Sequence, residues 1–349
     1  MNKEAIMKKT LLLFILIFIY MNDSSSQDFH FSQHSNTPLL VNPANTGVFS
    51  GNQRTALYYR NQWAGVIQSP YKTFGFAFDS KAWKNQTEKG VLSLGLSVLK
   101  DKAGSFDLSL TQILLSGSFS QAISENSRFS GGIQGGMSQR TINFTEEVWE
   151  AIYDYQNNTG SSFYAGTNIL NLEYTNIDLA GGILFSYSSS GDFQPTNEGV
   201  RLNLGAAFHH FNRPDKTFTL SFTEKNYSKF ILHANGNIGL ASGLFALSPS
   251  FLYARQGPNT EIVGGLGVRY MIREKTPNTG LMSESAITAG THLRHLDSVI
   301  PYISLEFSGY SIGISYDVCI SELAGSASGK ARGIEINAGY IFPPPFRIK

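Results

Sequence analysis

The stretch Tyr71–Ser80, YKTFGFAFDS, sets phenylalanine at 74, 76 and 78, with Gly75, Ala77 and Asp79 between them. Successive side chains of a β-strand point to opposite faces. One face of this segment therefore carries three phenyl rings, and the other carries Gly, Ala and Asp. The fold turns on whether the phenyl face packs against a protein core or against lipid.

The same alternation recurs along the chain. GVLSLGLSVLK sets Leu92, Leu94, Leu96 and Val98 against Ser93, Gly95 and Ser97. YSIGISYDV sets Tyr310, Ile312, Ile314, Tyr316 and Val318 against Ser311, Gly313, Ser315 and Asp317. Apolar stripes of helical period are absent. The pattern predicts about fourteen strands, at 54–63, 70–80, 90–100, 106–121, 128–142, 175–188, 199–211, 228–239, 245–255, 260–273, 285–295, 299–308, 310–320 and 332–342. Most are close to the roughly 9–11 residues that carry a tilted strand across a bilayer.

The second face of each strand decides between lipid and core. A secreted β-sandwich would turn Lys, Glu, Asp and Arg outward. Here that face is mostly Gly, Ser, Thr and Asn, which suits a lumen, while the apolar face suits lipid. Closure into a barrel also satisfies every backbone group, which an open sheet in lipid cannot do. The expected fold is all-β: a single antiparallel transmembrane β-barrel spanning 54–342. Composition agrees. Charged residues are 15% of the chain, against about 25% in soluble proteins. A net charge of +1 gives no electrostatic footprint for nucleic acid. Cys319 is the one cysteine, so no internal disulfide staples the chain.

Lys8 and Lys9, the apolar run Leu11–Tyr20, and Ser24 and Ser26 before Gln27 form the three regions of a secretory signal. The expected signal peptide is 1–26, cut after Ser26, with Met7 as an alternative start. Residues 27–53 lack a clean period and carry Pro38 and Pro43. They are expected to be irregular and to lie in the lumen or under its periplasmic mouth. Residues 343–349 form a tail.

Long connections are expected outside the cell and short turns inside. That places 143–174, 212–227 and 321–331 outside. The first of these sets Trp149, Tyr153, Tyr155, Phe163 and Tyr164 among Glu146, Glu147, Glu150 and Asp154. Aromatics with a charged rim are what a protein-binding surface offers. Tyr58, Trp63, Tyr71, Tyr187, Tyr253, Tyr270 and Tyr340 are expected to form interfacial girdles.

Catalytic signals are absent. His292 and His295 stand three apart on a strand, hence on opposite faces, which is poor metal-ligand geometry. His209 and His210 are expected to face opposite ways as well. GGIQGG at 131–136 lies in a strand with no following helix, so it is no phosphate loop. The expectation is no enzyme, no metal and no cofactor. In the last strands Asp317 and Glu335 should both face the lumen. A 321–331 connection symmetric about residue 326 would set them directly opposite each other, with Arg294 and Arg60 reaching them to fix the closure of the barrel. Replacing Gly75 by Ser is expected to be mild.

Two ends of the chain resemble one family. At the front stand QDFHFSQ (27–33), the Asn42-Pro43-Ala44 box, and Arg60-Asn61-Gln62-Trp63 followed by Tyr71. AAFHHFNRPDKTF and LSPSFLY lie in the middle. At the back stands Ser315-Tyr316-Asp317, followed by a Gly-x-Glu-Ile ending that contains Glu335. These blocks resemble the PorP/SprF family of type IX secretion proteins, over nearly all of 27–342. The resemblance implies an outer-membrane barrel of Bacteroidetes-type bacteria. It also implies partners: a secreted surface adhesin or other type IX cargo, or periplasmic ring and motor components of the machine. It carries over no catalytic residue. A general porin or small-solute channel is the alternative.

Overall fold

The computed structural model describes residues 30–343, except 66–68, 86–89, 105–107, 144–170, 190–196, 198, 216–224, 242, 274–284 and 322–331. Fourteen strands form a closed antiparallel barrel in which every strand pairs with its chain neighbours. They are β1 (Gln53–Gln62), β2 (Tyr71–Asn85), β3 (Gly90–Ala103), β4 (Leu108–Ala122), β5 (Ser127–Asn143), β6 (Asn171–Ser188) and β7 (Val200–His209). The second half is β8 (Lys229–Gly239), β9 (Phe245–Gln256), β10 (Asn259–Arg273), β11 (Ser285–Arg294), β12 (Ser298–Phe307), β13 (Tyr310–Cys319) and β14 (Arg332–Phe342). Pairing of β1 with β14, from Gln53↔Phe342 to Gln62↔Gly333, closes the ring. No strand edge is left to seek a partner in lipid.

The alternation sorts the side chains. Phe74, Leu94, Ile133 and Ile177 are 61%, 56%, 74% and 65% exposed on the outside. Thr73, Ala77, Asp79, Ser93 and Ser97 are buried inside. An apolar exterior around a polar interior inverts the arrangement of a water-soluble protein, and fits a barrel whose solvent is hydrocarbon. The phenyl face of Tyr71–Ser80 thus faces outward.

Several sequence expectations are corrected. β2 runs to Asn85 instead of ending at 80, because a bulge between Lys81 and Trp83 resets its pairing with β3. The extra residue breaks the two-residue period on which the sequence reading relied. β6 begins at Asn171, four residues before the expected 175. Tyr58 belongs to no girdle: it is 4% exposed and packs inside on Phe31, ring centroids 5.6 Å apart. Gly75 lies under that ring. A Cβ there would come within 2.8 Å of Tyr58 Cδ2, so Gly75→Ser is not mild. His209 and His210 both turn inward. β7 ends at His209, and His210 takes a φ of 54°, which returns its side chain to the lumen.

The three longest connections, 144–170, 210–228 and 320–331, lie at the end where β1 finishes, while 189–199 and 274–284 lie at the other end. At the other end β12 and β13 join through Ser308 and Gly309, whose φ values of 51° and 83° give the doubly positive turn that suits a two-residue hairpin. On the rule that the longest loops face outward, the first end is taken as the outer one and the second as the periplasmic one.

Inside the barrel, residues 30–52 thread from the outer end toward the periplasmic end, antiparallel to β1. The segment contains a 3-10 turn at His34–Asn36, one α-helical turn at Pro38–Val41 and a 3-10 turn at Pro43–Asn45. It packs on two small apolar clusters. One joins Phe31 and Leu39 to Tyr58, Ala77 and Leu99. The other joins Val41 to Ala207, Ile231, Leu252, Ala254 and Val263.

Candidate functional site

The internal segment is held at three levels of the lumen. At the outer level, Glu335 Oε2 accepts from Ser32 N at 2.7 Å and Oε1 accepts from Gln33 N at 2.9 Å. Ser32 Oγ donates to Asp317 Oδ2 at 2.7 Å and accepts from Arg294 Nη2 at 2.8 Å. Arg60 Nη2 and Arg294 Nη1 each lie 3.4 Å from Asp317 Oδ2. Arg294 also reaches Asp297 at 2.9 Å and Glu261 at 3.2 Å. Arg60 donates to the carbonyl of His30, and Asn337 Nδ2 donates to Gln33 Oε1 at 2.7 Å.

Arg60, Arg294, Asp317 and Glu335 therefore meet, but Ser32 and Gln33 stand at their centre. Asp317 and Glu335 are not directly opposed as the symmetric connection would have them. Asp317 lies opposite Gly333, and Glu335 lies opposite Ser315. The two-residue shift keeps both carboxylates inward and makes them diagonal neighbours, which eases like-charge repulsion across the strand pair. Each carboxylate then has its own donors: two backbone N–H groups for Glu335, a hydroxyl and two guanidinium groups for Asp317. Buried charges are tolerable only when paired and hydrogen-bonded in this way.

At the middle level stands the Asn42-Pro43-Ala44 box. Asn42 Nδ2 donates to Ile183 O at 2.9 Å, and Asn42 Oδ1 accepts from Ala44 N at 2.9 Å. Pro43 opens the turn, where a missing N–H costs nothing. The barrel wall makes room with glycine. A Cβ on Gly132 would lie 2.5 Å from Ala44 N, and one on Gly182 would lie 2.1 Å from Asn42 Oδ1. The glycine-rich 131–136 stretch is thus, at Gly132, a seat for the box and not a bare lumen wall.

At the periplasmic level, Asp79 accepts from Gly47 N at 2.7 Å and from Arg54 Nε and Nη2 at 2.9 and 2.8 Å. Lys81 Nζ donates to Phe49 O at 2.6 Å. The Arg54 guanidinium lies 4.8 Å from the centroid of the Phe49 ring, within cation–π range.

Two cavities flank the segment. The outer one, about 680 Å³ and partly open, is lined by Arg60, Trp63, Asp101, Arg140, Glu261 and Arg294 among others. The periplasmic one, about 630 Å³ and partly open, includes Phe49, Lys81, Arg128, Arg201, Arg269 and Glu306 in its wall.

The remaining sequence candidates fall in several places. Gln62 lines the outer cavity. Trp63, at φ 65°, donates its N–H to Arg332 O at 2.7 Å and sets its ring edge-on to Tyr71 at 5.2 Å. Asn61 is partly buried, and its Oδ1 is without a hydrogen-bond partner. Ser315 is buried, and Tyr316 points outward at 38% exposure. Trp149, Tyr153, Tyr155, Phe163 and Tyr164 lie outside the described residues, as do the 1–26 segment and residues 344–349. His292 faces inward, 4.6 Å from the Tyr302 ring. Among the described residues no group of three or more His, Cys, Asp or Glu is arranged to hold a metal. The sequence reading missed Ser32, Gln33, Asn337 and the Arg54–Asp79 pair as anchors. The signal for the first two was their place in the QDFHFSQ block.

A closed fourteen-stranded barrel with an apolar exterior, its lumen threaded by its own N-terminal segment, defines a plugged outer-membrane-type β-barrel. The family described as type IX secretion system membrane protein PorP/SprF matches residues 23–340, and the chain belongs to it. It is an outer-membrane protein of that secretion system's membrane context. No curated protein matches the chain. Among solved structures it is similar to the Pseudomonas putida toluene transporter TodX, at 10% identity and a TM-score of 0.46, over 88% of this chain and 94% of that one. It is also similar to a Pseudomonas aeruginosa FadL homologue, at 8% identity and 0.45, over 88% and 94%. A third is BamA from Haemophilus ducreyi, at 10% and 0.41, over 84% and 70%.

Proposed function

We propose that this barrel is a docking component of type IX secretion. On this reading it holds a secreted surface protein of adhesin type, or periplasmic ring and motor parts of the machine, and so supports export or surface attachment. It is not an enzyme. Residues 1–26 are its cleaved export signal, 27–53 its plug, 54–342 its barrel and 343–349 a tail. The aromatic outer connection with Trp149, Tyr153, Tyr155, Phe163 and Tyr164 is the proposed partner surface. The lumenal charges Arg60, Arg294, Asp317 and Glu335 serve structure.

One observation carries the reading: the lumen is occupied along its length by a segment clasped at both ends. A barrel built to pass solutes freely gains nothing from such a clasp, whereas a rigid scaffold for a partner does. A general porin is the alternative reading. Comparing surface proteins and small-solute uptake between wild-type and deletion strains separates the two. Docking predicts that particular proteins leave the surface while uptake is unchanged. Reduced uptake with an intact surface would favour the porin.

A further inference from the structure

The periplasmic cavity has an ordered wall. Along β5 to β9 the strand register pairs Arg128 with Ser186, Ser186 with Asn203, Asn203 with Asn235, and Asn235 with Ser250. All five residues line the cavity. Neighbouring strands stand about 4.8 Å apart, so the row sets one polar side chain at each step around the wall. Gly265 continues it opposite Ser250, and His292, another lining residue, follows opposite Gly265.

Several of these groups are not used by the fold. Ser186 Oγ, Asn235 Oδ1, Ser250 Oγ and His292 Nδ1 are buried atoms with no hydrogen-bond partner among the described residues. A buried polar atom without a partner is costly and rare. Here they share one register level on the wall of a cavity of about 630 Å³, within the roughly 300–1,000 Å³ of small-ligand sites. A hydroxyl both donates and accepts, and an amide offers both roles on separate atoms. A row of hydroxyls and amides at short, regular steps is therefore matched by a ligand with many hydroxyl groups along a short chain, which is an oligosaccharide. Charge narrows the class. Among the described lining residues Lys81, Arg128, Arg201 and Arg269 are cationic, and Glu306 is the one carboxylate, 2.8 Å from Arg269. A wall of that sign favours a sugar that carries carboxylates.

We propose that this wall binds an acidic oligosaccharide entering from the periplasmic mouth. Its hydroxyls lie on Ser186, Asn203, Asn235 and Ser250, and its carboxylates lie toward Arg128 and Arg201. An acidic peptide would meet the arginines but brings few hydroxyls to the row. The site is independent of the docking reading, because it lies inside the barrel and needs no protein partner.

The test uses the mature protein in micelles of lauryldimethylamine oxide, a detergent without a sugar headgroup, and isothermal titration calorimetry at physiological ionic strength. The probe is trigalacturonate, with maltotriose as its neutral counterpart. The proposal expects saturable binding of one trigalacturonate per barrel, at least tenfold tighter than maltotriose. Asn235→Leu should weaken binding at least tenfold. Arg201→Gln should narrow the preference over maltotriose to less than threefold. Arg140→Gln, in the outer cavity, should change nothing. Heat-modifiable mobility on a gel checks that each variant is folded, and Ser250→Val replaces Asn235→Leu if that variant is not. Absence of saturable binding would overturn the proposal, as would equal affinity for trigalacturonate and maltotriose. Displacement by inorganic phosphate at equal concentration would overturn it by showing an adventitious anion only. Tighter binding of hexaglutamate than of trigalacturonate would overturn it too, since the occupant would then be an acidic peptide.

Discussion

Glu335 on the last strand holds Ser32 near the start of the described chain, its carboxylate taking the backbone N–H of Ser32 at 2.7 Å across 303 positions of sequence. The neighbouring N–H of Gln33 takes the other oxygen at 2.9 Å. The two ends of the chain are thus joined inside the barrel by a charge-assisted pair of hydrogen bonds, in addition to the β1–β14 seam.

Glu335→Ala should free the outer end of the internal segment. Limited proteolysis of the folded variant should cut within 30–52 at least tenfold faster than in the wild type. The barrel should keep its heat-modifiable mobility on a gel, because the seam pairing is backbone-made. Equal proteolysis rates would show that Glu335 does not hold the segment.

Arg294→Met should destabilise by about 3–5 kcal/mol, since it removes a cation from the buried Asp317 and the half-buried Glu261. Asp317→Asn added to Arg294→Met should cost less than the sum of the two single changes, because the double variant buries less unpaired charge. Denaturant unfolding of the four proteins measures the coupling. Additive losses would mean that the 3.4 Å approach of Arg294 to Asp317 has no energetic weight.

Phe76→Arg should cost about 2–4 kcal/mol near the bilayer midplane, whereas Phe76→Leu should cost little. Assembly yield in liposomes checks both. If the Arg variant assembled as well as the Leu variant, the outward placement of the Tyr71–Ser80 phenyl face would be wrong.

Gly132→Val should displace the Asn42-Pro43-Ala44 box without altering the outer face. The nearest atoms to the new side chain are backbone atoms of Pro43 and Ala44, and these cannot swing aside. Cysteine labelling at Ser35 should rise in this variant relative to the parent. Unchanged labelling would place the box elsewhere.

How much of this was legible follows from the range of the contacts involved. Strand number and facing are local properties. A period of two along Leu92–Val98 or Tyr310–Val318 reads directly as in and out, so the barrel could be recognised from pattern alone. Departures arose where one residue changes the backbone: the bulge at Lys81/Trp83 and the positive φ of His210 carry no side-chain signature. Asp317, Glu335 and Arg294 could be placed in the lumen by alternation, but their register depends on where the 320–331 connection turns, which alternation does not specify. The anchoring of Ser32 and Gln33 was not legible either, since it joins positions about three hundred residues apart. Tyr58 was misplaced because an aromatic near a strand end looks the same whether it meets lipid or Phe31.

The central claim is that the internal segment closes the lumen, and single-channel recording in planar bilayers tests it most directly. The wild-type protein should show no stable open level. A variant lacking residues 30–46, with the Gly47–Asn52 stretch left to enter β1, should show large ohmic steps. Wild-type conductance equal to that of the deletion variant would contradict the account and make the barrel an open pore.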